Sequence, residues 1–330
     1  MCSYCSFSAG PVEKWKDSLE EYLDALCREI AYVGRVSRGR RLNAVYIGGG
    51  TPTILEASQL ERLFSSIDQS FSREYLLEYT VEAGRPETVT EEKLAAMLRH
   101  GVTRISINPQ TMQQRTLDLI GRRHRTEDVV RAYRLARDLG FDNINMDLIA
   151  GLPGETAADM EDTLEKICRL QPDSLTVHAL SIKRAARMGQ EKSSLGYIRG
   201  LEEQMDDPER MGKEISRMTA LAGEAAKEMG MTPYYLYRQK NIAGNFENVG
   251  YAKVDKAGIY NILIMEEKQS IAGVGAGAST KILLREPAAV PGSRKKKMTR
   301  LLRIENVKNI REYLSRIDEM IERKGEWLWP

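Results

Sequence analysis

The stretch NINMDLIAGLPGET, residues 143–156, reads as one repeating unit of an α/β sheet. It opens as a buried-looking β-rich run, and Gly151, Pro153 and Gly154 turn it into a loop. Thr156, with Asp159 three residues on, resembles a capping box and starts a helix that ends near Leu170. On the upstream side, Val129, Val130, Tyr133 and Ala136 mark a helix from Thr126, with Gly140 suited to its C-terminal stop. On the downstream side, SLTVHAL (174–180) is the next strand.

The alternation runs back to about residue 13. Leu19, Tyr22, Leu23, Leu26, Cys27 and Ile30 fall on one helical stripe, and NAVYIGGGTPT (43–53) is a short strand ending in glycines. A helix through Leu60, Leu63, Phe64 and Ile67 leads to the strand LEYTVEA (77–83). A helix from Thr90 then leads to TRISIN (103–108). Five strands separated by helices predict a parallel sheet, with chemistry at the C-terminal strand ends. The glycines 48–50, Glu82, Gln110, Asp147 and His178 fall there. Glu82, Arg104, Arg122 and Asp147 together suit a polar ligand bearing both charge signs. After about residue 185 the pattern changes to a helix near 209–229, the aromatic YYLYRQ, GNFENVGYA, a strand-like IYNILIM (259–265), GVGAGAS and a charged helix over about 304–324. The chain therefore divides into residues 1–185 and a smaller α+β region, 186–330, covering one end of the sheet.

A hydrophobic fraction of 42%, a charged fraction of 29% and a net charge of +2 over 330 residues describe an ordinary globular chain. They give no general reason to expect a nucleic-acid partner. No apolar run reaches the ~18 residues of a membrane span, and the first residues lack the apolar core of a signal peptide. Four cysteines are no disulfide framework, so a reducing, cytoplasmic setting is the simplest expectation. The run Arg294–Lys297 follows Pro-Gly-Ser and reads as a solvated loop.

Cys2 and Cys5 leave several chemistries open: zinc, an iron–sulfur cluster or a redox dithiol. Cys27 and Cys168 sit on apolar helix faces and read as core residues. GGGTPT offers free backbone N–H groups to an anion, yet matches neither the Walker loop nor GxGxxG. GVGAGAS reads as close backbone packing or as a binding loop.

CSYCSF (2–7), YIGGGTPT (46–53), VEAGRPE (81–87), RISINPQT (104–111), IGRRH (120–124) and NMDLIAGLPGET (145–156) resemble, in order and spacing, the radical S-adenosylmethionine (SAM) enzymes. The likeness is strongest to the oxygen-independent coproporphyrinogen III oxidase branch, and the tail YYLYRQKNIAGNFENVGY with GVGAGAS is similar to its coproporphyrinogen dehydrogenase subgroup. The resemblance implies a partial (β/α)6 barrel, a [4Fe–4S] cluster and S-adenosyl-L-methionine as cofactors. Its signature has three cluster cysteines; Cys2 and Cys5 match the second and third as metal ligands. The expectation is that this chain is truncated at its N-terminus, lacking the first barrel strand and one ligand, and so holds a cluster poorly and turns over little. Gly49 and Glu82 match contacts to the cluster-bound cofactor. Tyr4, Gly50, Thr51, Gln110, Arg122 and Asp147 match positions around a second cofactor molecule in the oxidase relative. Phe7 replaces an extra cysteine of that relative, and Glu247-Asn248 stands where the heme-chaperone branch has His-Asn. The implied reaction is oxidative decarboxylation of two propionates of coproporphyrinogen III to give protoporphyrinogen IX. A flavodoxin or ferredoxin would be a suitable electron donor. Arg238 and Lys240 are candidates for the substrate carboxylates. The alternative on the same scaffold is a heme-binding trafficking protein.

Overall fold

The computed structural model describes residues 15–180, 208–238, 247–289 and 298–329. Among them lie strands β1 (Ala44–Ile47), β2 (Glu78–Glu82), β3 (Arg104–Ser106), β4 (Ile144–Ala150), β5 (Ser174–Ala179), β6 (Thr232–Arg238), β7 (Glu247–Ala252), β8 (Ser279–Ala289) and β9 (Met298–Glu305). The helices are α1 (Leu19–Val36), α2 (Ala57–Ser70), α3 (Glu91–Arg99), α4 (Gln114–Leu119), α5 (Thr126–Asp138), α6 (Ala157–Leu170), α7 (Pro208–Glu228), α8 (Ile259–Met265), α9 (Ile310–Ser315) and α10 (Ile317–Trp327). Seven strands form one sheet in the order β1-β2-β3-β4-β5-β7-β6, and β8 pairs with β9 separately. Strands β2 to β5 are parallel, as the strand–helix alternation predicts, whereas β7 and β6 extend the sheet antiparallel.

The chain groups into two compact units made of interleaved segments, whereas the sequence suggests one boundary near 185. Among the described residues, the first unit comprises 46–56, 78–180, 208–238 and 247–258; the second comprises 15–45, 57–77, 259–289 and 298–329.

Strand alternation gives the sheet of the first unit two unlike faces. One carries Tyr79, Val81, Ile105, Ile144, Met146, Leu148, Leu175 and Val177, each at most 1% exposed. Burying a side chain of this size contributes about 1.5–3 kcal/mol relative to leaving it in water. The other face carries Glu78, Thr80, Ser106, Asn145, Ser174 and Thr176, which are polar and buried. Buried polar groups persist only when hydrogen-bonded. Asn145 uses its whole amide to that end. Its Nδ2 donates to Asp147 Oδ1 at 2.7 Å and Ser106 Oγ at 3.1 Å, while Oδ1 accepts from Ser174 and Thr176 at 3.1 and 3.2 Å.

The second unit is tied by a buried polar hub. The Glu29 carboxylate accepts from Gly275 N at 2.7 Å, Asn306 Nδ2 at 2.8 Å, Tyr313 Oη at 2.7 Å and Lys324 Nζ. Glu29 and Lys324 are both fully buried. Around them Ala25, Tyr313, Ile317 and Met320 form an apolar cluster. The hub anchors the GVGAGAS loop, so close backbone packing accounts for that motif.

Two sequence expectations change. IYNILIM is helix α8, not a strand. A seven-residue apolar run has no periodicity that separates the two, and only its setting decides. The charged helix expected over 304–324 is strand β9 followed by α9 and α10. Asn309 makes the break, its side chain capping α9 at Glu312 N. The Arg294–Lys297 run and Lys240 lie outside the described residues.

Candidate cofactor site

The site is built where the strands of the first unit end. Strand β1 stops at Ile47 and Gly48–Gly50 turn the chain, Gly49 at φ 109°, in the region that favours glycine. A Cβ placed on Gly49 or Gly50 would meet nothing within 4 Å, so the turn borders open space. Strand β2 ends at Glu82, whose carboxyl accepts from Tyr46 Oη and from the Gly49 backbone N–H. Burial pushes Glu82 from the usual 4.5 up to about 7, and the nearby Asp147 pushes the same way.

Gln110, just past β3, is nearly buried and holds the left-handed φ of 68°, rare for a residue with a side chain. Two backbone bonds fix it to β4: its N–H donates to Asp147 O, and its carbonyl accepts from Ile149 N, both at 2.9 Å. Arg122 follows α4, and its Nη1 donates to Asn108 O at 2.8 Å and Gly84 O at 3.1 Å. Behind it His124 is 1% exposed, with Nδ1 3.6 Å from the Glu87 carboxylate. Burial and the Arg122 charge hold His124 down to about 4, so it is neutral at pH 7.

Gly49, Glu82, Asp147 and Gln110 thus form one continuous set, and Arg122 joins it through Asn108. Gly50 lines the same turn. Thr51 leads into a 3-10 turn, its carbonyl accepting from Ile54 N at 3.0 Å. Cys2, Tyr4 and Cys5 lie outside the described residues.

Arg104 departs from expectation. It opens β3 at the N-terminal end, opposite to the site, and Nη1 donates to Asn143 Oδ1 at 2.7 Å and Lys256 O at 2.9 Å. Its place at the start of TRISIN already sets it at the N-terminal end of the strand, away from the C-terminal ends where the other polar residues gather. His178 lies in β5 on the polar face, in register with Ile149. Arg238 ends β6.

Three contributors escaped the sequence reading, Tyr46, Asn145 and Tyr235, and a fourth, Asn248, is noted there only as a departure from the chaperone pattern. Tyr235, from the aromatic run, crosses Gly250 of the neighbouring strand, where a Cβ would sit 2.0 Å from its ring. Its hydroxyl reaches Thr176 beside Asp147, and burial keeps it protonated. Asn248, 2% exposed, accepts from Ala179 N at 3.0 Å at the end of β5. Polar residues alternating with apolar ones in NINMDLIA could have signalled Asn145. Nothing local signals a contact across strands that are far apart in sequence.

These residues fit the cofactor that the motifs imply. Glu82 is an acid in a desolvated position with no basic side chain paired to it among the described residues, beside an open glycine turn. That arrangement suits a ligand carrying ammonium and sulfonium charge. Among the described residues no group of three or more His, Cys, Asp and Glu could hold a metal. Cys27 and Cys168 are half-buried and burial pushes both thiols up, away from the thiolate a cluster needs.

Comparison with known proteins agrees. A model of the radical SAM superfamily matches residues 1–167. The oxygen-independent coproporphyrinogen-III oxidase-like protein HemZ of Bacillus subtilis is 39% identical over 330 residues, 99% of this chain and 61% of that protein. The heme chaperone HemW of Bacillus subtilis is 34% identical over 184 residues, 56% of this chain and 48% of that protein. The oxygen-independent coproporphyrinogen III oxidase of Escherichia coli is 30% identical over 177 residues, 54% of this chain and 38% of that protein. The chain thus spans 61% or less of the length of these relatives. In structure, the coproporphyrinogen III oxidase HemN from Escherichia coli superposes with a TM-score of 0.72 at 20% identity, covering 97% of this chain and 67% of that one. With a mostly parallel half-barrel sheet and a family match over half its length, the chain belongs to the radical SAM superfamily, whose cofactors are a [4Fe–4S] cluster and S-adenosylmethionine.

Proposed function

We propose that this chain carries the radical chemistry of a coproporphyrinogen dehydrogenase, the oxidative decarboxylation of porphyrinogen propionates to vinyl groups. The observation that carries the reading is the reach of the likeness. It extends over 99% of the chain for the oxidase-like relative and over 56% for the heme chaperone. The aromatic tail and the GVGAGAS loop, similar in sequence to the dehydrogenase subgroup, support the same reading. Trafficking of heme is the second reading, favoured by the 34% identity of the chaperone over the shared part.

Cys2 and Cys5 would supply the second and third of the cluster's three cysteines, and Gly49 and Glu82 would meet the cofactor bound to it; Tyr4, Gly50, Thr51, Gln110, Arg122 and Asp147 match the positions around a second cofactor molecule in the oxidase relative. When bound, the pair supplies a radical able to take hydrogen from an unactivated carbon. The chain's own contribution is placement. The Glu82 carboxylate would meet the cofactor's ammonium, and the rigid Gln110–β4 junction would hold Asp147 in place. Neutral His124 packs behind Arg122 without competing for its charge. The apolar face of the sheet keeps this arrangement stiff.

The test is anaerobic incubation of the cluster-reconstituted protein, as it stands and extended upstream to carry a cysteine four residues before Cys2, with coproporphyrinogen III, S-adenosylmethionine and a low-potential reductant; turnover is expected of the extended protein. Vinyl products and carbon dioxide in step with 5′-deoxyadenosine support the reading. Stoichiometric heme binding with no vinyl product would replace it with the chaperone reading.

A further inference from the structure

We infer that Tyr46 is a positioning residue of the cofactor site: its hydroxyl holds the Glu82 carboxyl against the glycine turn, and so fixes where that charge meets a ligand's ammonium. The inference deepens the proposed function and rests on it.

Three contacts carry it. Tyr46 and Gly48 stand two apart at the end of β1, so they share a face. Tyr46 Oη donates to Glu82 Oε1 from the neighbouring strand. A Cβ on Gly48 would sit 2.6 Å from the Tyr46 ring and 2.8 Å from Glu82 Oε1, so phenol, carboxyl and turn are in mutual contact and only glycine fits between them. The Gly49 N–H donates to the same carboxyl. Glu82 is thus held by one donor from the turn and one from the strand that leads into it.

Among the described residues, the groups facing Glu82 are Tyr46 from β1, the Gly49 N–H and Asp147 from β4. Asp147 repels the carboxylate, and the two donors stabilise it. Loss of the phenol hydroxyl therefore does two things at once. It frees the carboxyl to rotate, and it removes one of the interactions favouring its ionised form.

The measurement is S-adenosylmethionine binding by equilibrium dialysis to anaerobically reconstituted parent, Tyr46→Phe and Glu82→Gln proteins, from pH 6 to about 9. A second readout needs no ligand: the infrared carboxyl band of Glu82, isolated by difference against Glu82→Gln. The parent is expected to gain affinity as pH passes about 7, with loss of the protonated band over the same range. Tyr46→Phe is expected to move both midpoints upward and to bind about tenfold more weakly at pH 8, the loss of one hydrogen bond to a charged group. Glu82→Gln should bind weakly with no such dependence. If Tyr46→Phe matches the parent in both readouts while Glu82→Gln binds weakly, the inference falls and the cofactor reading stands. If the parent, at verified cluster content, binds no S-adenosylmethionine, both fall.

Discussion

Glu82 concentrates the electrostatic cost of the site. A carboxyl whose folded value lies near 7, against 4.5 when exposed, binds more protons in the native state than in the unfolded chain between those values. Stability therefore falls as pH rises through that window, by at most about 3 kcal/mol for a shift of this size. Glu155, raised to about 7 by burial beside the Thr111 hydroxyl, adds a slope of the same sign. His124 has the opposite sign: held down to about 4, it contributes stability that is lost as pH falls below 6.5. Denaturant unfolding of the ligand-free protein should accordingly show Glu82→Gln more stable than the parent at pH 8, and with a shallower decline between pH 5 and 8. Identical slopes would mean that Glu82 is not desolvated. A residue made costly for folding in this way is what an awaiting cationic ligand requires.

At the scale of elements, most of the parallel core was legible because each strand–loop–helix unit carries its own punctuation. Thr90 and Thr156 start helices α3 and α6, and Asp159 Oδ2 accepts from Thr156 N at 2.9 Å as the capping box requires. Asp159→Ala should cost about 1 kcal/mol in urea unfolding, without altering cofactor binding. The antiparallel extension was not legible. Tyr234 to Arg238 and Glu247 to Ala252 were noticed as motifs, but pairing with β5 is decided by contacts about 70 residues away in sequence, such as that from Asn248 to Ala179 N. Asn248→Ala leaves that buried N–H without its acceptor, a cost of about 1–3 kcal/mol. Amide hydrogen exchange should then accelerate at Ala179 more than at Met146 in the strand beside it. Equal protection at both would show that the side chain does not hold the strand end. The polar face of the sheet was half legible: Asp147 stood out as a charge in a strand, whereas Asn145 reads as ordinary until its four partners are seen.

On the scale of the molecule, each unit has its own source of order, an apolar sheet face in one and a buried ion pair in the other. Lys324→Met would leave the Glu29 charge buried with only neutral donors, a loss of about 3–5 kcal/mol. Replacing both residues by apolar ones should recover much of that loss, and thermal unfolding of the two variants distinguishes the cases. No helix among the described residues is long and apolar enough to cross a membrane. The central proposal is that the strand ends of the first unit form a cofactor site. It is tested most directly by electron paramagnetic resonance of the anaerobically reconstituted, reduced protein, recorded with and without S-adenosylmethionine. A cluster signal that changes shape on adding the cofactor in the parent, and changes little in Glu82→Gln at equal cluster content, is the predicted result. A parent signal indifferent to S-adenosylmethionine would contradict it.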